Sequence, residues 1–248
     1  MNKIVLLATA LAMSAAAGQA SAQNGFYVTA FAGGDSPDKE VLDGVNAAGQ
    51  ARLNVITLDE GSITGGALGV ATPEYGFGRF RAELELSSRK SDLEGVDLNG
   101  VARTIRPDRS VAVTTGQIQL IYDTPVYFDR VRFHAGAGYG LANVNHDIGY
   151  LVANPAAIGS SPGNILIGIT NSETTSAHQF IAGAELVLTS KWSLTADVRT
   201  LEVGDMQTQR FVENTIINGT PTTIGTLDSV QDADYASTSW TVGLKYSF

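Results

Sequence analysis

The chain has 248 residues, 25 acidic and 16 basic, for a formal net charge of −9. It carries no cysteine, which excludes disulfide scaffolds, thiolate metal sites, cysteine nucleophiles and a lipid-anchored cysteine. The acidic balance argues against a nucleic-acid partner, and 44% hydrophobic residues exclude a disordered chain.

The first element is a short basic start at Lys3, followed by an apolar run from Ile4 to about Ala17. Small residues at Ala20 and Ala22 close it, so residues 1–22 read as a secretory signal peptide cut after Ala22. The apolar run is shorter than the roughly 20 residues of a spanning helix. Removal would leave 226 residues with a net charge of −10, read as one domain over 23–248.

Eight segments then alternate apolar and polar residues with period two: 25–33, 62–71, 79–90, 111–122, 131–143, 177–188, 192–203 and 236–248. Most are 9 to 13 residues long, the length of a tilted strand crossing a bilayer. The third sets Arg79, Arg81, Glu83, Glu85, Ser87 and Arg89 against Phe80, Ala82, Leu84 and Leu86. The fifth sets Arg132, His134, Gly136, Gly138 and Gly140 against Val131, Phe133, Ala135, Ala137 and Tyr139. The last sets Ser239, Thr241, Gly243, Lys245 and Ser247 against Trp240, Val242, Leu244, Tyr246 and Phe248.

Alternation alone fits a soluble sandwich or an inside-out barrel whose apolar face meets lipid. The connections decide, because they alternate long and short: 34–61, 91–110, 144–176 and 204–235 against 72–78, 123–130 and 189–191. Long loops at one end and short turns at the other are the organisation of an outer-membrane barrel. Twelve of the 19 aromatics lie near the short-turn ends, where a headgroup girdle would sit. The four long connections hold 17 acids and 6 bases, which accounts for the whole negative balance. Asn218-Gly219 reads as a hairpin tip, and 164–170 as a further short strand, so ten strands are the alternative to eight.

The run Trp240-Thr-Val-Gly-Leu-Lys-Tyr246-Ser-Phe248 resembles the terminal aromatic signal of the small eight-stranded outer-membrane β-barrel proteins of Gram-negative bacteria, the OmpA/OmpX-like group. The opening Gly25-Phe-Tyr-Val28, Gly65-Gly-Ala-Leu-Gly69 and Phe80-Arg-Ala-Glu-Leu-Glu-Leu86 are also similar to that group. The resemblance implies an all-β, antiparallel up-and-down transmembrane barrel in the bacterial outer membrane. It implies contact with outer-membrane lipid and lipopolysaccharide, and Trp240, Tyr246 and Phe248 as the signal read by the barrel-assembly machinery. The chain stops at Phe248 without the peptidoglycan-binding domain of the OmpA type, so wall anchoring is not implied.

An eight-stranded lumen is just wide enough to be filled by its own side chains. The inward list is Arg79, Arg81, Arg89, Arg132, Arg199 and Lys245 against Glu83, Glu85, Glu185 and Asp197. Depth from the short turns predicts Glu185 beside Arg132 and His134, and Asp197 beside Lys245, with the inward glycines making room for arginines. The same residues would form the constriction of a narrow channel, which is the second reading. An adhesin acting through the acidic loops is the third, its extracellular partner unidentified. No catalysis and no cofactor are expected: none of His134, His146 and His178 has a serine two residues on, the pattern of barrel-type lipid A deacylases.

Overall fold

A computed structural model of the chain describes residues 25–46, 48–154, 163–217 and 220–248. The expected signal peptide with Ala20 and Ala22, and the Asn218-Gly219 tip, lie outside the described residues. Within them the chain forms one antiparallel sheet of eleven strands and no helix. These are β1 (Phe26–Pro37), β2 (Glu40–Asn46), β3 (Ala51–Leu58), β4 (Gly61–Ala71), β5 (Arg79–Leu98) and β6 (Val101–Ile105). The rest are β7 (Ser110–Asp123), β8 (Val131–Asn154), β9 (Gly163–Val187), β10 (Trp192–Ile217) and β11 (Thr220–Ser247).

The count is thus eleven where eight, or ten, were expected, because the stretches read as loops are themselves largely strand. β8 to β11 each run 24 to 28 residues, far past the bilayer. Three other runs are interrupted rather than ended. β2 climbs along β11 where β1 leaves it, with Pro37 opposite Ser237 and then Asp43 opposite Asp232. β3 leads into β4 across 59–60, and β6 into β7 across 106–109.

Pairing closes the sheet on itself twice. Near the short turns the circuit runs β1, β4, β5, β7, β8, β9, β10, β11 and back to β1. Further out it runs β2, β3, β5, β6, β8, β9, β10, β11 and back to β2. Closure leaves no continuous free edge, the condition for strands to cross lipid.

The two tiers have opposite insides. In the tier near the short turns, outward residues such as Phe80, Leu84, Ile118, Leu120, Val198 and Val242 are exposed, while Glu85, Arg89, Gln119 and Lys245 are buried. On β8 the outward apolar run Phe133–Leu141 is nine residues; at about 3.4 Å per residue and a tilt near 40° it covers about 21 Å, close to the apolar band of a barrel. In the outer tier Leu42, Ile56, Leu98, Ile148, Ile169 and Met206 are buried together, and Asp43, Glu94, Glu202 and Asp232 face outward. The polarity inverts along single strands as they pass from lipid to water.

Bulges set the phase of the outer tier. On β5 the inward set moves from Leu93 to Val96 and Leu98 through the shift at Thr57/Leu58. On β10 it moves from Val203 to Met206, and pairing with β9 lapses between Val203 and Gln209. Side chains bridge that lapse: the Gln207 amide donates to Glu173 Oε2 at 2.7 Å, and Asn171 Nδ2 donates to the Gln207 carbonyl.

At the other end, two turns begin alike with Thr-Pro. The Phe80 amide donates to Thr72 Oγ1 and the Phe133 amide to Thr124 Oγ1, each at 3.1 Å. Rings gather at this rim: Tyr75 stacks on Phe77 at 5.4 Å, and Tyr246 meets Trp192 at 4.8 Å and Phe248 at 5.2 Å. Trp240 stands on the lipid face higher up.

Candidate functional site

The lumen of the membrane tier is the densest chemistry in the molecule. Period-two spacing on β5 aims Arg79, Arg81, Glu83, Glu85 and Arg89 inward. Nearest the short turns, Asp123 Oδ2 accepts from Arg79 Nε at 2.7 Å and Oδ1 from Arg81 Nε at 2.8 Å, with Arg132 Nη1 3.7 Å away. Arg81 Nη1 and the Tyr27 hydroxyl both donate to Glu83 Oε1 at 2.6 Å. Lys245 Nζ donates to Glu185, which Arg79 also approaches at 3.7 Å. Arg132 Nη2 reaches down to Glu74 on the first short turn at 2.7 Å.

Halfway up, Arg199 bridges Glu85 and Asp197, and His134 Nε2 lies 2.7 Å from Asp197 Oδ1. Gln179 joins Glu85 to Arg89 with bonds of 3.1 and 2.8 Å. At the top, Arg89 Nε is 3.4 Å from Asp35 Oδ1, which also accepts from Ser239 at 2.6 Å. The outer tier follows, opening on a buried His146–Glu40 pair at 2.9 Å.

Several sequence expectations need correcting. Glu185 and Arg132 stand opposite each other in the β8–β9 register, yet Arg132 turns to Glu74 and Asp123 while Glu185 takes Lys245. Asp197 pairs with His134 and Arg199 rather than with Lys245. Small residues decide this: Lys245 lies opposite Ser193 on the intervening β10, whose short side chain lets β11 and β9 meet across it. Likewise Gly183 separates His134 from Asp197 in register, and a methyl group there would lie 2.4 Å from Asp197 Oδ1 and 2.9 Å from His134 Nε2. Replacing Gly183 with alanine is expected to destabilise the folded barrel by about 1–3 kcal/mol, read from its urea midpoint in detergent. Gly136, Gly138 and Gly140 do not make room for arginines. A Cβ on Gly140 would lie 2.0 Å from the Gly116 carbonyl and one on Gly138 2.9 Å from Gln119 Cγ, so they let β7 approach β8. His146, read as a loop residue, is a buried strand residue, whereas His178 sits exposed against Glu202 at 2.8 Å.

Two carboxylates were missed, Asp35 as a loop acid and Asp123 as a turn acid. Asp123 continues a parity that alternation on β7 carries, Gln117 and Gln119 against Ile118 and Leu120, whereas Asp35 follows the inward Phe31 and Gly33 on β1, a glycine-rich strand whose faces the sequence alone does not fix. With them six inward cations face six inward carboxylates. A cavity among Thr29, Phe31, Arg81, His134, Thr195 and Arg199 has room for about one water molecule. The interior is therefore ion-paired and filled by side chains rather than an open channel, with the apolar core of the outer tier stacked above it.

A closed antiparallel sheet, apolar where it meets lipid and ion-paired within, defines a transmembrane β-barrel of the bacterial outer membrane. The family described as outer membrane protein beta-barrel domain matches residues 4–248, and the chain belongs to it. No curated protein matches the chain. Among solved structures, the outer membrane protein OprG from Pseudomonas aeruginosa is 13% identical with a TM-score of 0.53, covering 91% of this chain and 97% of that one. Neisserial surface protein A is 15% identical with a TM-score of 0.45, covering 90% of this chain and 97% of its own. At these identities the likeness concerns the fold alone.

Proposed function

We propose that this protein is a passive member of the small eight-stranded barrel group, stabilising the outer membrane and holding a rigid outer tier at the cell surface. The observation that carries the reading is the matched set of six cations and six carboxylates in the lumen. Unpaired, such charges would be very costly there; paired, they fill the bore. The membrane circuit of eight strands supports the group, and the aromatic rim of Trp192, Tyr246 and Phe248 supports recognition by the barrel-assembly machinery. Lipid and lipopolysaccharide surround the apolar band. The reading includes no catalysis.

The test is conductance of the mature protein refolded into a planar bilayer, with a heat-shifted gel band as proof of folding. Silence is expected from the wild type and from Arg81→Ala combined with Glu83→Ala, because the apolar core of the outer tier still closes the bore, and rising conductance once Ile148→Asp is added to that pair. Steady ion-selective openings in the wild type would replace this reading with the narrow channel. A partner-binding role has one observation of its own. Val45 and Val230 face each other on the outer tier, 62% and 43% exposed, beside the outward Asp43 and Asp232.

A further inference from the structure

Beyond the apolar core, the outer mouth of the barrel holds charges that the lumen network does not use. Arg52 on β3, Arg103 on β6 and Arg210 on β10 turn toward the interior there, and the ion pairs they make among the described residues all go to Asp228 on β11. Arg210 is the anchored one: its Nε donates to the Tyr150 hydroxyl at 2.8 Å and its Nη1 to Asp228. Tyr150 in turn donates to Asn54 Oδ1 at 2.7 Å, and Asn54 Nδ2 to Gln231 Oε1 at 3.0 Å. Burial pushes the Tyr150 phenol up, so it remains a neutral hydroxyl.

The other two arginines are less well served. Arg52 donates Nη1 to the Ala51 carbonyl at 3.4 Å and Nη2 to Gln50 Oε1 at 3.2 Å, but its Nε, 3.5 Å from Asp228 Oδ2, and Arg103 Nε are buried without a hydrogen-bond partner among the described residues. Arg103 lies opposite the inward Val96 and close enough to Tyr150 for its charge to bear on that hydroxyl. Two guanidinium groups thus share the Asp228 carboxylate, and a third stands beside the Tyr150 hydroxyl that Arg210 bonds, at the mouth of a tier whose outer surface is acidic. A buried N–H donor without a partner is costly, and the planar fork of arginine matches the two oxygens of a phosphate or carboxylate.

We propose that the outer mouth is a binding site for an oxyanion, a phosphate or carboxylate group, held by Arg52 and Arg103 with Arg210 fixed beside them by Tyr150 and Asp228. The site stands apart from the lumen, so it does not depend on whether the barrel conducts. The group comes either from a soluble molecule at the cell surface or from a phosphorylated lipid headgroup of the outer leaflet.

The experiment is thermal unfolding of the folded mature protein in detergent, titrated with sodium phosphate against sodium chloride at equal ionic strength. Phosphate is expected to raise the midpoint saturably, and Arg103→Gln to raise the concentration needed at least tenfold. Lys90→Gln, an exposed cation outside the mouth, leaves the response unchanged. Arg52→Gln serves the same purpose if Arg103→Gln does not yield a heat-shifted band. A second arm repeats the titration in nanodiscs with and without lipid A. A phosphate response equal in both assigns the site to a soluble anion; a response suppressed by lipid A, and restored by omitting it, assigns the site to the headgroup. Phosphate no better than chloride in detergent and in nanodiscs, or an undiminished response in both arginine variants, overturns the proposal.

Discussion

Replacing Asp123 with alanine is expected to lower the stability of the folded barrel by about 3–5 kcal/mol, the cost of stranding buried charge. The carboxylate is completely buried, bonded to Arg79 and Arg81 and 3.7 Å from Arg132. Among the described residues no other lumen acid serves three arginines, and the strands that bring them together come from both sides of β7. Arg79→Ala should cost far less, because that side chain is 20% exposed and its charge leaves with it. The double variant Arg81→Ala with Asp123→Ala should regain part of the loss, since the two groups share one network. Urea unfolding followed by tryptophan fluorescence and by the heat-shifted band would measure all three. An Asp123→Ala barrel as stable as the wild type would mean that Glu74 and Glu185 take over the freed arginines, and that no specific pairing holds the lumen closed.

The membrane tier was legible in sequence wherever a strand keeps one phase of charged against apolar residues, and not on the glycine-rich β1 and β4, whose faces the pattern leaves open. Arg79 to Arg89 alternate without a break, and their inward direction follows from the lipid-facing Phe80, Leu84 and Leu86. What period two cannot provide is the identity of partners. Whether Lys245 finds Asp197 or Glu185 depends on Ser193 and Gly183, residues that act by being small and carry no charge of their own. The outer tier was illegible for a different reason. There the inward face changes from polar to apolar, and bulges after Leu93 and Val203 shift the phase. Leu42, Ile56 and Ile148 therefore appeared as scattered apolar residues among acids, and whole strands were read as loops.

Because the outer tier has its own closed circuit and its own core, it is expected to melt apart from the membrane tier. Ile148 is fully buried in that core, in the stretch of β8 beyond the lipid-facing run. Ile148→Asp would place a carboxylate among apolar side chains such as Ile56, Ile169 and Met206, a cost of several kcal/mol that local opening relieves. Protease should then cut the outer tier of intact cells or proteoliposomes, while the remainder still shows a heat-shifted band. Ile148→Val, which costs only about 0.5–1.5 kcal/mol, should resist the protease. Loss of the band together with the outer tier would show instead that the two circuits fold as one unit. The same variant separates the two seals stacked along the barrel axis. With the apolar core opened and the lumen charges still paired, a planar bilayer should stay silent, because the network of six cations and six carboxylates closes the bore by itself.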